Sequence, residues 1–337
     1  MSDSNVKIVR FHETGGPEVL KIEKMPLPIP GEGEVRLRVH AIGLNRAEIM
    51  FRTGQYLLEP HFPSKIGYEA SGIVEAVGPG VDDNMIGKKY STVPCFDLGK
   101  YGVYGEVAIV PAYALAAYPE KLSFIEATSI WMQYLTAYGA LVHYGKIGKP
   151  DYVLITAASS SVGLAAIQVV RAQGATSIVT TRTAKKKAEL LALGADHVIV
   201  TQDEDLCARV QEITQGKGVT VVFDPIAGSG VNRLAETLAP GGTLFIYGNL
   251  SSEPTTPFPL FPALSKGLSV RGYTLFEIVA QPELRREGEK YIVKHIENGT
   301  FKTKIAKTFT LDNIIEAHTY MQSNEQIGKI VVTVKDS

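Results

Sequence analysis

Alternation dominates the first third of the chain. Val35, Leu37, Val39 and Ala41 are apolar, while Arg36, Arg38 and His40 between them are polar, the period-two pattern of a strand with one buried face. Gly15-Gly-Pro17, Pro28-Ile-Pro-Gly31 and Gly78-Pro-Gly80 break such runs. Residues 1 to about 125 therefore read as antiparallel β structure, a barrel or a folded-over sheet.

Near residue 126 the texture changes. Apolar runs at Tyr152–Thr156, Ser177–Thr181, His197–Val200, Val219–Phe223, Thr243–Tyr247 and Leu268–Arg271 predict strands. Helical patterns lie between them over Val162–Gln173, Lys185–Leu193, Asp205–Thr214 and Val231–Leu238. Val162, Ala165, Ala166, Val169 and Val170 recur at i, i+3, i+4, i+7 and i+8, and Val231, Leu234, Ala235 and Leu238 form a similar face. Gly194, Gly216 and Gly241-Gly242 are expected to stop helices. The alternation predicts a doubly wound parallel sheet, giving an overall class of α/β plus β. Beyond residue 274, a helical stretch (Leu284, Gly288, Tyr291, Ile292, His295) precedes strand-like Ile305–Thr310, a short helix and the β-rich Ile327–Val334. That tail is expected to return to the first domain, giving segments 1–125, 126–273 and 274–337.

A chain of 337 residues suits two domains, and its 45% hydrophobic and 20% charged residues are those of an ordinary globular protein. A net charge of −1 gives no reason to expect nucleic acid or an anionic membrane as partner. No run approaches the roughly 18–20 apolar residues of a membrane span, and the first residues carry no apolar signal segment. Two distant cysteines, Cys95 and Cys207, exclude a disulfide framework and favour a reducing compartment. A cytoplasmic protein is expected.

The strongest chemical signal is the strand–turn–helix from Tyr152 to Gly163. It aims a helix's free N–H groups and positive dipole end at the turn, a ready anion site. Ala157, Ser160 and Gly163 hold the three small-residue points of a dinucleotide fingerprint. Ser159, Ser160 and Ser161, with Val162 behind them, could offer hydroxyl and backbone donors to a pyrophosphate, or the serines could simply cap the helix. About twenty residues on, where an NAD site carries a carboxylate, the chain has Thr181 and Arg182, followed by Lys186. Arg attracts a 2′-phosphate that a carboxylate would repel, so NADPH is expected over NADH. The alternative is that Arg182 and Lys186 are merely exposed. Gly248 and Asn249, at the carboxyl end of a strand, would line the nicotinamide side of the crevice. The seven histidines show no mutual metal-ligand spacing and read mostly as surface or strand-end residues, and no serine lies in a G-x-S-x-G turn.

These residues resemble the medium-chain dehydrogenase/reductase superfamily, and within it the zinc-independent quinone oxidoreductases. The resemblance covers essentially the whole chain. It rests on Gly15-Gly-Pro17 with Glu18-Val-Leu20, Pro30-Gly-Glu-Gly-Glu34, Gly43-Leu-Asn-Arg46, the run from Gly67-Tyr-Glu to Gly78, Leu135-Thr-Ala-Tyr138, Ala157–Gly163 and Gly328-Lys-Ile-Val-Val332. It implies a Rossmann domain inserted into a GroES-like, mostly β catalytic domain, with the active site in the cleft between them. It also implies a homodimer formed through the last Rossmann strand, about Leu268–Tyr273. At the positions where zinc-bearing relatives carry Cys, His and Cys, this chain has Asn45, Tyr68 and Met132, and Cys95 stands alone where a structural zinc needs four cysteines.

Without a Lewis acid the reaction must need little electrophilic help. Hydride addition to a quinone, or to the β-carbon of an α,β-unsaturated carbonyl, fits, with hydrogen-bond donors stabilising charge on the carbonyl oxygen. Tyr56 matches a tyrosine near the substrate in quinone reductases, and Asn45 and Tyr68 are the further candidate catalytic groups. Tyr68 either bonds the substrate or fills the vacated metal position. Phe51 and Trp131 are expected to shape the pocket. Two alternatives remain: an enoyl-thioester reductase, and an NADPH-binding structural or regulatory protein with little turnover.

Overall fold

The computed structural model describes residues 5–334. The chain forms two compact units, one running to Met132 and resumed from Thr303, the other spanning Gln133–Lys302.

In the first unit, Asn5–Arg10 and Lys21–Pro26 pair antiparallel. A seven-stranded sheet follows the order Ile305–Thr310, Lys329–Thr333, Glu34–Gly43, Glu69–Val77, Lys89–Thr92, Leu115–Ala116, with Val107–Pro111 also paired to Glu34–Gly43. The alternation read from the sequence is the reason Glu34–Gly43 lies at the centre: Val35, Leu37, Val39 and Ala41 are buried, and Arg36 and Arg38 point outward to pair with Glu75. The tail does return. Lys329–Thr333 runs antiparallel to Glu34–Gly43, with Val331 opposite Gly43.

The second unit is built on a six-stranded parallel sheet in the order His197–Val200, Thr176–Thr181, Tyr152–Ile155, Val219–Asp224, Leu238–Ile246, Ser269–Gly272. The order reverses between Tyr152–Ile155 and Val219–Asp224, the switch point at which open α/β sheets bind ligands. Buried Leu154, Ile178, Ile199, Val222 and Leu244 pack with Val210, Val231 and Leu234 into one core. Each such side chain contributes about 1.5–3 kcal/mol by leaving water. The helix Ser161–Ala172 buries Ala165, Ala166, Val169 and Val170, the face its periodicity predicts.

Two elements differ from the sequence reading. The helix Pro282–Glu297 lies in the second unit, not in the segment that returns to the first. Its buried face includes Gly288, where a β-carbon would stand 2.6 Å from Leu135 Cδ2, so the helix sits tightly on the stretch after residue 133. Gly241 and Gly242 fall inside the strand Leu238–Ile246 and end no helix; the preceding helix stops at Thr237.

The chain enters and leaves the second unit at one place. Lys302 donates its N–H to Gln168 Oε1 at 2.7 Å, and its carbonyl accepts from Gln168 Nε2 at 3.1 Å and from Tyr134 Oη at 3.2 Å. Tyr134 also stacks on Phe301, ring centres 4.7 Å apart.

Candidate active site

The predicted cofactor residues gather at the switch point of the second unit. Ala157 makes the tight turn after Tyr152–Ile155 with φ +46°, a left-handed conformation that costs a non-glycine residue about 1–2 kcal/mol. Ser160 is the N-cap: its Oγ accepts the Gly163 N–H at 3.0 Å. Capping uses the oxygen and leaves the hydroxyl proton to donate, so the cap is compatible with a further bond from this serine. At Gly163 a β-carbon would lie 2.6 Å from Ala158 Cα and O, and only glycine lets helix and strand approach so closely. Lys186 reaches back from the end of the next strand, its Nζ donating to Ser159 Oγ at 3.0 Å. Basic and hydroxyl groups far apart in sequence thus meet beside the turn. Arg182 is exposed, and Thr181 Oγ1 donates to the Thr183 carbonyl at 3.2 Å.

Across the switch point, Thr156 Oγ1 donates to Asp224, whose other oxygen accepts the Ala227 N–H at 2.7 Å. Burial raises the Asp224 carboxyl, offset by these bonds. Gly248 packs on the Pro225 carbonyl, where a β-carbon would stand at 2.9 Å. Asn249 is exposed and its side-chain oxygen accepts from Ser251 Oγ at 3.1 Å.

The predicted catalytic residues gather in the first unit, on a polar cluster that sequence reasoning did not assemble. Asn45 follows the central strand and starts the helix Arg46–Arg52; Glu48, three residues on, accepts the Asn45 N–H, half of a capping box. Glu48 Oε1 also accepts the Tyr68 N–H at 3.1 Å. The Asn45 amide has Gly43 O at 3.1 Å, Glu69 Oε2 at 3.1 Å and Glu48 Oε1 at 3.3 Å as acceptors, and its oxygen accepts from Lys329 Nζ at 2.6 Å. Lys329 also pairs with Glu69, whose Oε1 accepts the Met132 N–H at 2.9 Å. Asn45, Glu48, Tyr68, Glu69 and Lys329 are all buried. The Asn45 side chain is thus fully used inside the protein, with acceptors outnumbering its amide hydrogens.

Gly67 lets the chain reach this cluster: its φ is +107°, and a β-carbon would collide with the Tyr104 ring at 2.2 Å. Tyr68 is held by Thr92 Oγ1, which donates to its carbonyl at 2.7 Å, and its ring meets Tyr56 edge-on at 6.5 Å and tilts against Phe96 at 5.8 Å. Tyr56 is half-buried. Burial pushes Tyr56 up to about 12, and Tyr68 further still, so both are neutral donors. Burial also pushes Glu48 up to about 7, against the pull of Lys329 and the N–H groups of Tyr68 and Asn45.

Trp131 is fully buried and donates from Nε1 to Ser91 Oγ at 2.7 Å. His318 is no surface residue; it is buried against Tyr104 Oη at 3.2 Å and held down to about 3 by burial and by Arg52. Among the described residues no group of three or more His, Cys, Asp and Glu could hold a metal ion, and no helix is long and apolar enough to cross a membrane.

Residues 161–290 match the family model described as zinc-binding dehydrogenase, and residues 31–120 match the alcohol dehydrogenase GroES-like domain. The chain is 33% identical to a 2-haloacrylate reductase of Burkholderia sp, with 96% of this chain and 97% of that protein covered. It is 29% identical to the quinone oxidoreductase of Homo sapiens over 97% of each. The crystal structure of Escherichia coli quinone oxidoreductase complexed with NADPH superposes with a TM-score of 0.89 at 31% identity, covering 97% of this chain and 99% of that one.

Proposed function

The chain belongs to the medium-chain dehydrogenase/reductase superfamily, and from that premise we propose that it is an NADPH-dependent reductase of quinones or of the C=C bond of α,β-unsaturated carbonyls, working without zinc. The observation that carries the zinc-free reading is the donor set at the three positions where zinc-bearing relatives hold their metal. Zinc takes thiolate, imidazole or carboxylate. Asn45 spends its amide on Glu48, Glu69 and Lys329, Tyr68 is a buried phenol far from ionising, and Met132 offers a thioether. These residues do not fit a zinc ion, despite the matching family's description.

The cofactor reading rests on the turn and its basic neighbour. Ala157, Ser159, Ser160, Ser161, Val162 and Gly163 would hold the pyrophosphate with backbone N–H and hydroxyl donors. Thr181, Arg182 and Lys186 would hold the 2′-phosphate, and Gly248 and Asn249 would border the nicotinamide. When bound, NADPH supplies the hydride. Tyr56 is the group we assign to the substrate oxygen. Its high pKa keeps the proton in place at neutral pH, ready to donate where negative charge develops. Tyr68, whose ring packs edge-on against Tyr56, is a positioning residue, as is Asn45, which fixes the helix start that leads to Tyr56. The relatives' names support both acceptor types: one reduces quinones, the other an acrylate, whose double bond is conjugated to a carboxyl carbon.

We assign a homodimer paired through Ser269–Gly272, the edge strand of the parallel sheet, and a cytoplasmic location. The test of function is NADPH oxidation at 340 nm with a panel of quinones, enones and an enoyl thioester. Turnover of a quinone or enone is expected. Tight NADPH binding without oxidation by any of them would overturn the reading.

A further inference from the structure

A run of aromatic rings passes through the first unit. Phe62 meets Phe11 at 5.6 Å between ring centres, Phe11 meets Phe51 at 5.7 Å, Phe51 meets Tyr56 at 6.5 Å, and Tyr56 leads on to Tyr68 and Phe96. Its outward end is apolar: Leu57 is 68% and Phe62 48% exposed. Phe11, Phe51, Tyr68 and Phe96 are buried, so Tyr56 and Phe62 are the rings the run offers to a flat, conjugated molecule.

In the polar cluster behind it carboxyls outnumber ammonium groups. Glu48 and Glu69 are buried with a single ammonium, Lys329, and that ammonium is bonded to Glu69 and Asn45. Among the described residues no cation is bonded to Glu48, so the cluster sets two carboxyls against one ammonium. Its field reaches the phenols: Glu48 raises the pKa of Tyr56 and of Tyr68. No Lys or Arg occurs between Gly54 and Pro63, the loop carrying Tyr56; its ionisable residues are Glu59 and His61. Of the flanking cations, Arg52 is fully buried, donates to the Gly15 carbonyl and interacts with Glu18, Tyr104 and His318, and Arg46 donates to the Asn324 side-chain oxygen at 2.7 Å. Lys65 is partly buried and acts on Glu34 and Arg10.

We infer that this wall selects by charge: the protein reduces neutral, planar conjugated carbonyl compounds and discriminates against those carrying an anionic group beside the acceptor. The inference rests on the reductase reading above and deepens it. An anion would have to shed water against an apolar wall whose phenols lie in the field of a carboxyl, Glu48, and desolvating an unpaired charge is costly. The expected chemistry therefore departs from that of the acrylate-named relative.

The test compares 1,4-naphthoquinone with 1,4-naphthoquinone-2-sulfonate, at pH 8 so that ordinary imidazoles are neutral. The sulfonate withdraws electrons and makes the ring intrinsically easier to reduce, so chemical reactivity alone predicts the opposite order. The expected result is a kcat/KM at least about tenfold lower for the sulfonate, carried mainly by KM, and a gap that narrows several-fold in Glu48→Gln. Equal or faster turnover of the sulfonate by the unaltered protein overturns the inference, whether or not the variant folds. Failure to oxidise NADPH with the neutral quinone as well as with neutral enones would strike the reductase reading instead.

Discussion

Replacing Lys329 with Met removes the one cation from a cluster holding two buried carboxyls. Glu69 loses its ion pair and Asn45 the donor to its carbonyl oxygen, while water cannot reach either group. Removing one partner of a buried pair costs about 3–5 kcal/mol, because the other charge stays behind. For a domain of this size each kcal/mol lowers the midpoint by about 2–4 °C, so a fall on the order of 10 °C is expected. Thermal unfolding followed by circular dichroism measures it. The decisive comparison is a double-mutant cycle with Glu69→Gln: once the stranded carboxylate is neutral, Lys329→Met/Glu69→Gln should recover a large part of the loss. A single variant within about 1 °C of the parent, or a double variant no more stable than the single, would refute the reasoning that Lys329 compensates the buried Glu69 carboxylate.

Three further outcomes follow from the same geometry. Burial raises the Glu48 carboxyl from 4.5 to about 7, so the stability it contributes is complete below pH 4.5 and disappears as pH climbs through 7. Unfolding free energies from urea titrations should fall from pH 5 to 8 for the parent relative to Glu48→Gln, by about 2–3 kcal/mol, and parallel profiles would contradict this. Tyr56→Phe should lower kcat by about 100-fold or more with little change in melting, the usual effect of deleting one donor to a developing oxyanion; unchanged kcat would remove Tyr56 from the chemistry. Arg182→Asp should raise the KM for NADPH at least about tenfold while sparing NADH, since it places a carboxylate against the 2′-phosphate, and an unaltered preference would withdraw Arg182 from that role.

The fold was legible where the pattern is local. Alternation from Val35 to Ala41 and the helical recurrence from Val162 to Val170 each record which face meets the core, and that record survives in any short window. The helix Pro282–Glu297 was legible as a helix, but not as part of the second unit. Its apolar stripe would suit any partner, and the choice is made by Leu135 and Tyr138 closing on Gly288, over a hundred positions away. The site divides the same way. The asparagine–glutamate spacing of the capping box was on the page at Asn45 and Glu48 and could have been used. The Lys329–Asn45 bond spans 284 positions and the Lys186–Ser159 bond 27, and no short-range periodicity encodes such meetings. Asn45 shows the consequence. Its identity suggested a donor for substrate, whereas its surroundings consume every hydrogen it has.

The clasp of Tyr134, Gln168 and Lys302 has an evolutionary corollary. A module whose first and last residues adjoin can be cut from one polypeptide and spliced into another with almost no added loop to close. The nucleotide platform is thus portable: the β-rich partner can be exchanged, and with it the range of acceptors reduced, while the seam itself stays unaltered. Joined by a short peptide across that seam, residues 133–302 should behave as a free-standing, circularised protein that keeps its own sheet.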